Sequence, residues 1–166
     1  MIAVRVARPG DAAAWREIVL EAAREARQIV TAPEEVWSAD ELRRRWSEAR
    51  PDAQAFLVAE RAGRVVGVLG IARGERVANQ HTAEFGVTVA ADARGSGVGT
   101  ALIRAAEARA REWGVRKVCL GVFADNTRAR ALYMRLGFVE EGNRRGHYQV
   151  GGVLRDEVVM AKWLQS

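Results

Sequence analysis

Apolar residues alternate with polar or small ones at Ile2, Val4 and Val6, the period of a half-buried strand. Pro9-Gly10-Asp11 interrupts that strand, and Asp11 stands where it can cap a helix running to about Gln28. Trp15, Val19, Ala22, Ala23 and Ala26 fall along one face of that helix. A loop over 29–37 carries Pro33, Glu34, Glu35 and Trp37. Ser38-Ala39-Asp40-Glu41 then spells a capping box and predicts a second helix to about Ala49, with Leu42 and Trp46 on its apolar side. Residues 55–60 and 65–73 are β-rich runs joined by Arg61-Ala62-Gly63-Arg64, the pattern of a hairpin. A polar loop over 74–80 leads to a further strand over 82–89.

Glycines at 95–99 open a longer helix over 97–113, followed by Gly114. Residues 115–123 are almost continuously apolar, as in a strand covered on both faces. A short helix over 126–136 is closed by Gly137, and strands over 138–148 and 153–163 complete the chain. No internal repeat, linker or low-complexity stretch interrupts this order. The pattern predicts one mixed α/β domain over residues 1–166.

Composition narrows the chemistry. The chain has 166 residues, 49% hydrophobic and 28% charged, an ordinary globular balance for a single domain. Its one cysteine excludes an intrachain disulfide, and one cysteine with two histidines falls short of a standard structural zinc site, so no metal is expected. The start lacks a signal-peptide pattern and no apolar run reaches about 18 residues, so a soluble, cytoplasmic protein is expected, with no membrane partner. The net charge of +5 is unevenly spread. Residues 94–145 hold eleven Lys and Arg against five Asp and Glu, whereas the rest holds fifteen against sixteen. Such a surplus suits a polyphosphate ligand, a membrane or nucleic acid. No basic run is interleaved with aromatics, which makes nucleic acid the weakest of these and leads to an expectation of no nucleic-acid partner.

The strongest candidate for a site is Arg94-Gly95-Ser96-Gly97-Val98-Gly99-Thr100, between a strand and a helix. Glycines leave backbone N–H groups uncovered, and the helix N-terminus adds partial positive charge, which together cradle an anion. A tight strand-to-helix turn is the plainer reading of the same residues. A dinucleotide fingerprint would need glycine where Thr100 stands, and a Walker loop would need a lysine, which is lacking.

Arg94-x-x-Gly97-x-Gly99 resembles the pyrophosphate loop of the GNAT superfamily of acyl-CoA-dependent N-acetyltransferases. The strand before it, Glu84-Phe85-Gly86-Val87-Thr88-Val89, stands where that family has its splayed fourth strand. Asn126-x-x-Ala129-x-x-Leu132-Tyr133-x-x-x-Gly137-Phe138 is similar to the family's second motif, which bounds the pantetheine arm. The resemblance runs from about His81 to Phe138, with a looser echo to Trp163. It implies a GNAT-type fold of about seven strands and four helices, with the sheet splayed between its fourth and fifth strands. It also implies transfer of acetyl from acetyl-CoA to a primary amine in a ternary complex. Val87, Thr88, Val89, Arg94, Gly95, Ser96, Gly97, Val98, Gly99, Thr100, Asn126, Ala129 and Tyr133 would then contact the cofactor.

Within that resemblance Tyr133 is the expected proton donor to the leaving thiolate, since a phenol stays protonated at neutral pH. The alternative is a core tyrosine with its hydroxyl bonded elsewhere. Glu84 is the candidate general base, with His81 or a water chain able to do the same work, or it is a solvated edge carboxylate. His147 and Tyr148 stand where they can line an acceptor pocket, and Trp37 with Glu34 and Glu35 could wall a cation site. Cys119 sits in an apolar strand and reads as core, against an acyl-cysteine mechanism. The run from Thr82 to Gly142 is most similar to bacterial enzymes acting on small molecules such as amino acids. Ribosomal-protein N-terminal acetyltransferases and a non-catalytic acyl-CoA sensor remain the alternatives. Surfaces near the C-terminus commonly pair in relatives, which leaves a homodimer open.

Overall fold

The computed structural model describes residues 1–165. Among them are seven strands: β1 (Ile2–Val6), β2 (Gln54–Arg61), β3 (Arg64–Arg73), β4 (Thr82–Val89), β5 (Lys117–Phe123), β6 (Val139–Val150) and β7 (Val153–Trp163). Four α-helices accompany them: α1 (Ala12–Arg24), α2 (Ala39–Ser47), α3 (Val98–Glu112) and α4 (Thr127–Arg135). The strands form one sheet in the order β1-β2-β3-β4-β5-β7-β6. β4 and β5 run parallel, and the other neighbours are antiparallel. This is the mixed sheet and helix count the residue pattern predicts.

Local chemistry explains most boundaries. Ser38 caps α2 as expected, its Oγ accepting from the Glu41 N–H at 3.1 Å. The Glu41 carboxylate does not close the box, because it accepts from Arg45 one turn later. α1 stops at Arg24, short of Gln28, and Ala26 takes a left-handed φ of 53°. Asp11 precedes α1, but its carboxylate is drawn to Arg5 and the Arg8 N–H and does not cap the helix by side chain. Those bonds, Arg5 foremost, hold the Asp11 carboxyl below its ordinary range.

Helices cover both faces. α3 lies on one face of β2, β3 and β4. It approaches closely at Gly67, where a Cβ would stand 2.6 Å from Val98 Cγ1. Leu102, Ile103, Ala106 and Ala110 are buried along that contact with Leu69 and Ile71. On the opposite face Trp15 of α1 meets Trp46 of α2 and Phe56 of β2 edge-on, at centroid separations of 5.4 and 6.0 Å.

The sheet opens in its middle. β3 and β4 stay paired as far as Val89, and β5 and β7 as far as Phe123. β4 and β5 pair only through Thr82–Glu84 with Lys117–Cys119. Beyond Glu84 and Cys119 the two strands diverge, and their facing edges are left without each other.

Candidate active site

The ladder decides which backbone groups face the gap. The Gly74 N–H donates to the Thr82 carbonyl at 2.9 Å, and the Ala90 N–H to the Val66 carbonyl at 3.0 Å. Antiparallel bonding alternates along a strand, so Glu84, Gly86 and Thr88 bond β3. Phe85, Val87 and Val89 therefore turn their main-chain groups toward the departed β5. The Leu164 N–H to Arg116 carbonyl bond and the Ala124 N–H to Asp156 carbonyl bond give the matching parity on β5. Gly121 and Phe123 thus face the gap from the other side. Arg94 Nε donates to the Val89 carbonyl at 3.2 Å, and the Asn126 N–H to the Phe123 carbonyl at 3.0 Å. Val87 keeps both a donor and an acceptor in the gap, and Val89 keeps its donor. Thr88 bonds β3 by its backbone and lines the cavity as a residue.

One end of the gap is the glycine loop. Gly95 and Gly97 take φ of 78° and 87°, left-handed values that suit residues without a Cβ. Gly97 is the N-cap of α3 and has no side chain to cap it, so the first-turn N–H groups stay open. Val98 is buried against Gly67 and offers this cradle only its backbone. Ser96 turns its hydroxyl to the Ala93 carbonyl and accepts from Arg61 Nη1 at 3.1 Å. The Arg94 guanidinium is committed to Glu25, at 2.8 and 2.5 Å, so it braces the loop from behind. Arg128 of α4 stands over the loop, with Nη2 2.8 Å from where a Cβ on Gly95 would be. Among the described residues its guanidinium has no hydrogen-bond or ion-pair partner. Sequence reasoning passed over Arg128; the basic surplus in its segment was the only signal.

Tyr133 and Asn126 line the same cavity, of about 570 Å³, which also takes in Val87, Gly99, Thr100, Gly121 and Ala129. Tyr133 is 7% exposed and packs edge-on against Phe85 and Phe138. Burial pushes its phenol up to about 12. Its hydroxyl has no hydrogen-bond partner among the described residues. Asn126 Oδ1 caps α4 by accepting from the Ala129 N–H at 3.2 Å, and its amide donors have no partner among the described residues. Trp15 and Val19 of α1 close the cavity from the opposite face of the sheet, with Gln28–Thr31 at its rim.

A sequence profile of the Acetyltransferase (GNAT) family matches residues 14–138. The chain belongs to the GNAT acetyltransferase family. It is 37% identical over 151 residues to a mycothiol acetyltransferase of Cellulomonas flavigena, covering 82% of this chain and 40% of that protein. It is 33% identical over 120 residues to the L-amino acid N-acetyltransferase AaaT of Escherichia coli, covering 70% of this chain and 74% of the relative. The chain spans less than half the length of the mycothiol acetyltransferases it matches, 40% and 46% in two cases. Its fold superposes with a TM-score of 0.90 on yncA of Salmonella typhimurium, solved with its cofactor acetyl-CoA, at 22% identity and 99% and 95% coverage. It superposes at 0.88 on a ribosomal-protein-alanine N-acetyltransferase from Brucella melitensis, at 29% identity and 98% and 99% coverage.

This GNAT chain fits an acyl-CoA by its own chemistry: unpaired strand edges for an amide-bearing arm, and an open cradle for phosphate beside the Arg128 guanidinium, which has no partner among the described residues. Glu84 and Cys119 lie on the α1/α2 face. Gly70 faces Phe56 there, and its register partner Gly86 shares that face, so Glu84 does too. Glu84 is exposed, pairs in register with Cys119 where the gap begins, and has no partner among the described residues. Cys119 is half-buried, less enclosed than its apolar run predicts. Burial raises its thiol pKa with Lys117 opposing, which leaves it unsuited to attack. His81 stacks on Trp163 at the paired end of β4, away from the cavity lining. His147 contacts Arg144 and Tyr148 on β6. Arg45 covers the Trp37 ring at 3.9 Å, and Glu35 accepts from the Ala32 N–H, so Trp37 and Glu35 each already have a partner within the protein.

One carboxylate went unnoticed in the sequence. Glu157 of β7 is 5% exposed, and its Oε1 occupies the space a Cβ on Gly121 would take. Tyr148 Oη donates to Oε1 at 3.3 Å. Arg144 Nε is 3.1 Å from Oε2, an ion-pair distance without hydrogen-bond alignment, so Oε2 is buried with no hydrogen-bond donor among the described residues.

Proposed function

We propose that this GNAT protein transfers the acetyl group of acetyl-CoA to the primary amine of a small molecule such as an amino acid. The observation that carries this reading is the open gap between β4 and β5, with the Val87 N–H free at its edge and the unpartnered Tyr133 hydroxyl on the same cavity. The relatives named as mycothiol and L-amino acid acetyltransferases support a small acceptor.

Bound in the gap, acetyl-CoA supplies a thioester whose carbonyl carbon an amine can attack. The Val87 N–H then stabilises the developing oxyanion, a donor worth about 2.7–4 kcal/mol in comparable sites. Open groups on Val87 and Val89 hold the pantetheine arm as an added strand, with the Asn126 amide beside it. The first-turn N–H groups of α3 and the Arg128 guanidinium take the pyrophosphate. Glu84 accepts a proton from the incoming ammonium, directly or through water, so that the neutral amine attacks, and Tyr133 donates its proton to the departing sulfur. Among the described residues no helix is long and apolar enough to cross a membrane, and a cytoplasmic setting is part of the proposal.

The test is acetyl-CoA-dependent thiol release across amino acids, polyamines, aminoglycosides and short N-terminal peptides. Response to a small amine supports the reading. Response to peptides alone moves the acceptor to protein N-termini, and silence with retained acetyl-CoA binding favours a sensor.

A further inference from the structure

We propose that Glu157 is the anchor for the acceptor's ammonium group, holding it above Gly121 at the α1/α2-side mouth of the gap. This rests on the amine-acetylation reading and assigns the charge that would recognise the amine. Register places the carboxylate there. Glu157 pairs with Phe123 and Val159 with Gly121, so Glu157, Phe123, Gly121 and Cys119 share one face, the face that carries Glu84. Gly121 and Phe123 line the 570 Å³ cavity, and Glu157 Oε1 fills the missing Cβ position of Gly121, so the carboxylate lies directly against that stretch of lining without being part of it. A side chain at Gly121 would displace it.

The carboxylate is also short of partners for its degree of burial. Its side chain is 7% exposed, yet it holds one long bond from Tyr148 and an unaligned cation, Arg144, which is itself half-exposed. A buried carboxylate needs aligned donors to offset its desolvation. A primary ammonium brings three, with the opposite charge. Glu84, exposed and unpartnered on the same face, is left to take the proton. The two carboxylates thereby divide binding from proton transfer.

The test compares wild type with Glu157→Gln, which keeps the shape and removes the charge, and with Glu157→Asp, which keeps the charge. For an amine turned over by wild type, Glu157→Gln raises the KM for that amine about 10- to 100-fold and leaves the KM for acetyl-CoA and the Tm unchanged. Glu157→Asp recovers part of the loss. An unchanged amine KM overturns the inference while the acetyltransferase reading stands. Parallel losses for both substrates with a lowered Tm overturn it by marking a purely structural carboxylate. If wild type turns over none of the panel, the acetylation reading fails by itself. The readout is then the thermal stabilisation of CoA-saturated protein by the same amines. Stabilisation present in wild type and lost in Glu157→Gln supports the anchor, and stabilisation that is absent, or equal in both, overturns it.

Discussion

Glu25 at the end of α1 grips Arg94 of the glycine loop through both carboxylate oxygens, at 2.8 and 2.5 Å, across 69 positions of sequence. The next residue is held as well, since Arg155 Nη1 donates to the Ala26 carbonyl at 2.7 Å. The chain leaving α1 is thereby fastened to both sides of the gap. Arg94 holds the Glu25 carboxyl below its ordinary 4.5. A depressed folded pKa contributes stability that is complete above that value and is lost as pH falls through the lowered one. Glu25→Gln is expected to cost about 1 kcal/mol at neutral pH, or about 2–4 °C in Tm. Thermal melts stepped down from pH 7 should show the difference shrinking below about pH 4.5, and a gap that persists into strong acid would contradict it.

Tyr133→Phe removes the proton donor and keeps the ring against Phe85 and Phe138. Turnover should fall about 10²- to 10⁴-fold with the affinity for acetyl-CoA nearly unchanged. Because burial moves the phenol up to about 12, wild-type activity should show no alkaline loss from this group below about pH 10. Steady-state rates and a binding titration separate the two effects. Equal losses of rate and affinity would remove Tyr133 from proton transfer.

Arg128→Gln should weaken CoA binding about tenfold and leave the Tm in place, since the guanidinium has no partner to lose among the described residues. The same variant should bind pantetheine, which lacks the phosphates, as wild type does. Calorimetry with both ligands checks this, and an equal loss for pantetheine would contradict phosphate recognition.

Leu102→Ala probes the packing beneath the gap. Leu102 is fully buried on α3, where Gly67 lets helix and strand approach closely. The truncation should cost about 2–5 kcal/mol, read as a shift in the denaturant midpoint. A cost under about 1 kcal/mol would mean that α3 repacks freely.

How much was legible in the residues follows the range of the interactions. The glycine loop, the Ser38 cap, the 62–63 hairpin turn and the order of elements are local, and local pattern carries them. The end of α1 is not local. The continuation to Gln28 looks helical, but Glu25 and Ala26 answer to Arg94 and Arg155, far along the chain. Arg94 reads as a phosphate ligand by motif, and only the fold reveals the carboxylate behind it. Glu157 was hidden for another reason. The β6–β7 pairing shifts register at Glu140/Gly142 and again at Arg144/Tyr148, so alternation cannot say what faces it across β6. Its relation to Gly121 depends on tertiary packing that no spacing records.

That the gap between β4 and β5 receives an acyl-CoA is tested most directly at the Val87 amide. Backbone amide NMR during an acetyl-CoA titration should show saturable shifts at Val87 and Val89, and slowed hydrogen exchange at both. Glu84, Gly86 and Thr88, already bonded to β3, should change little in exchange. Saturable binding with Val87 and Val89 unmoved would place the cofactor elsewhere and contradict the account.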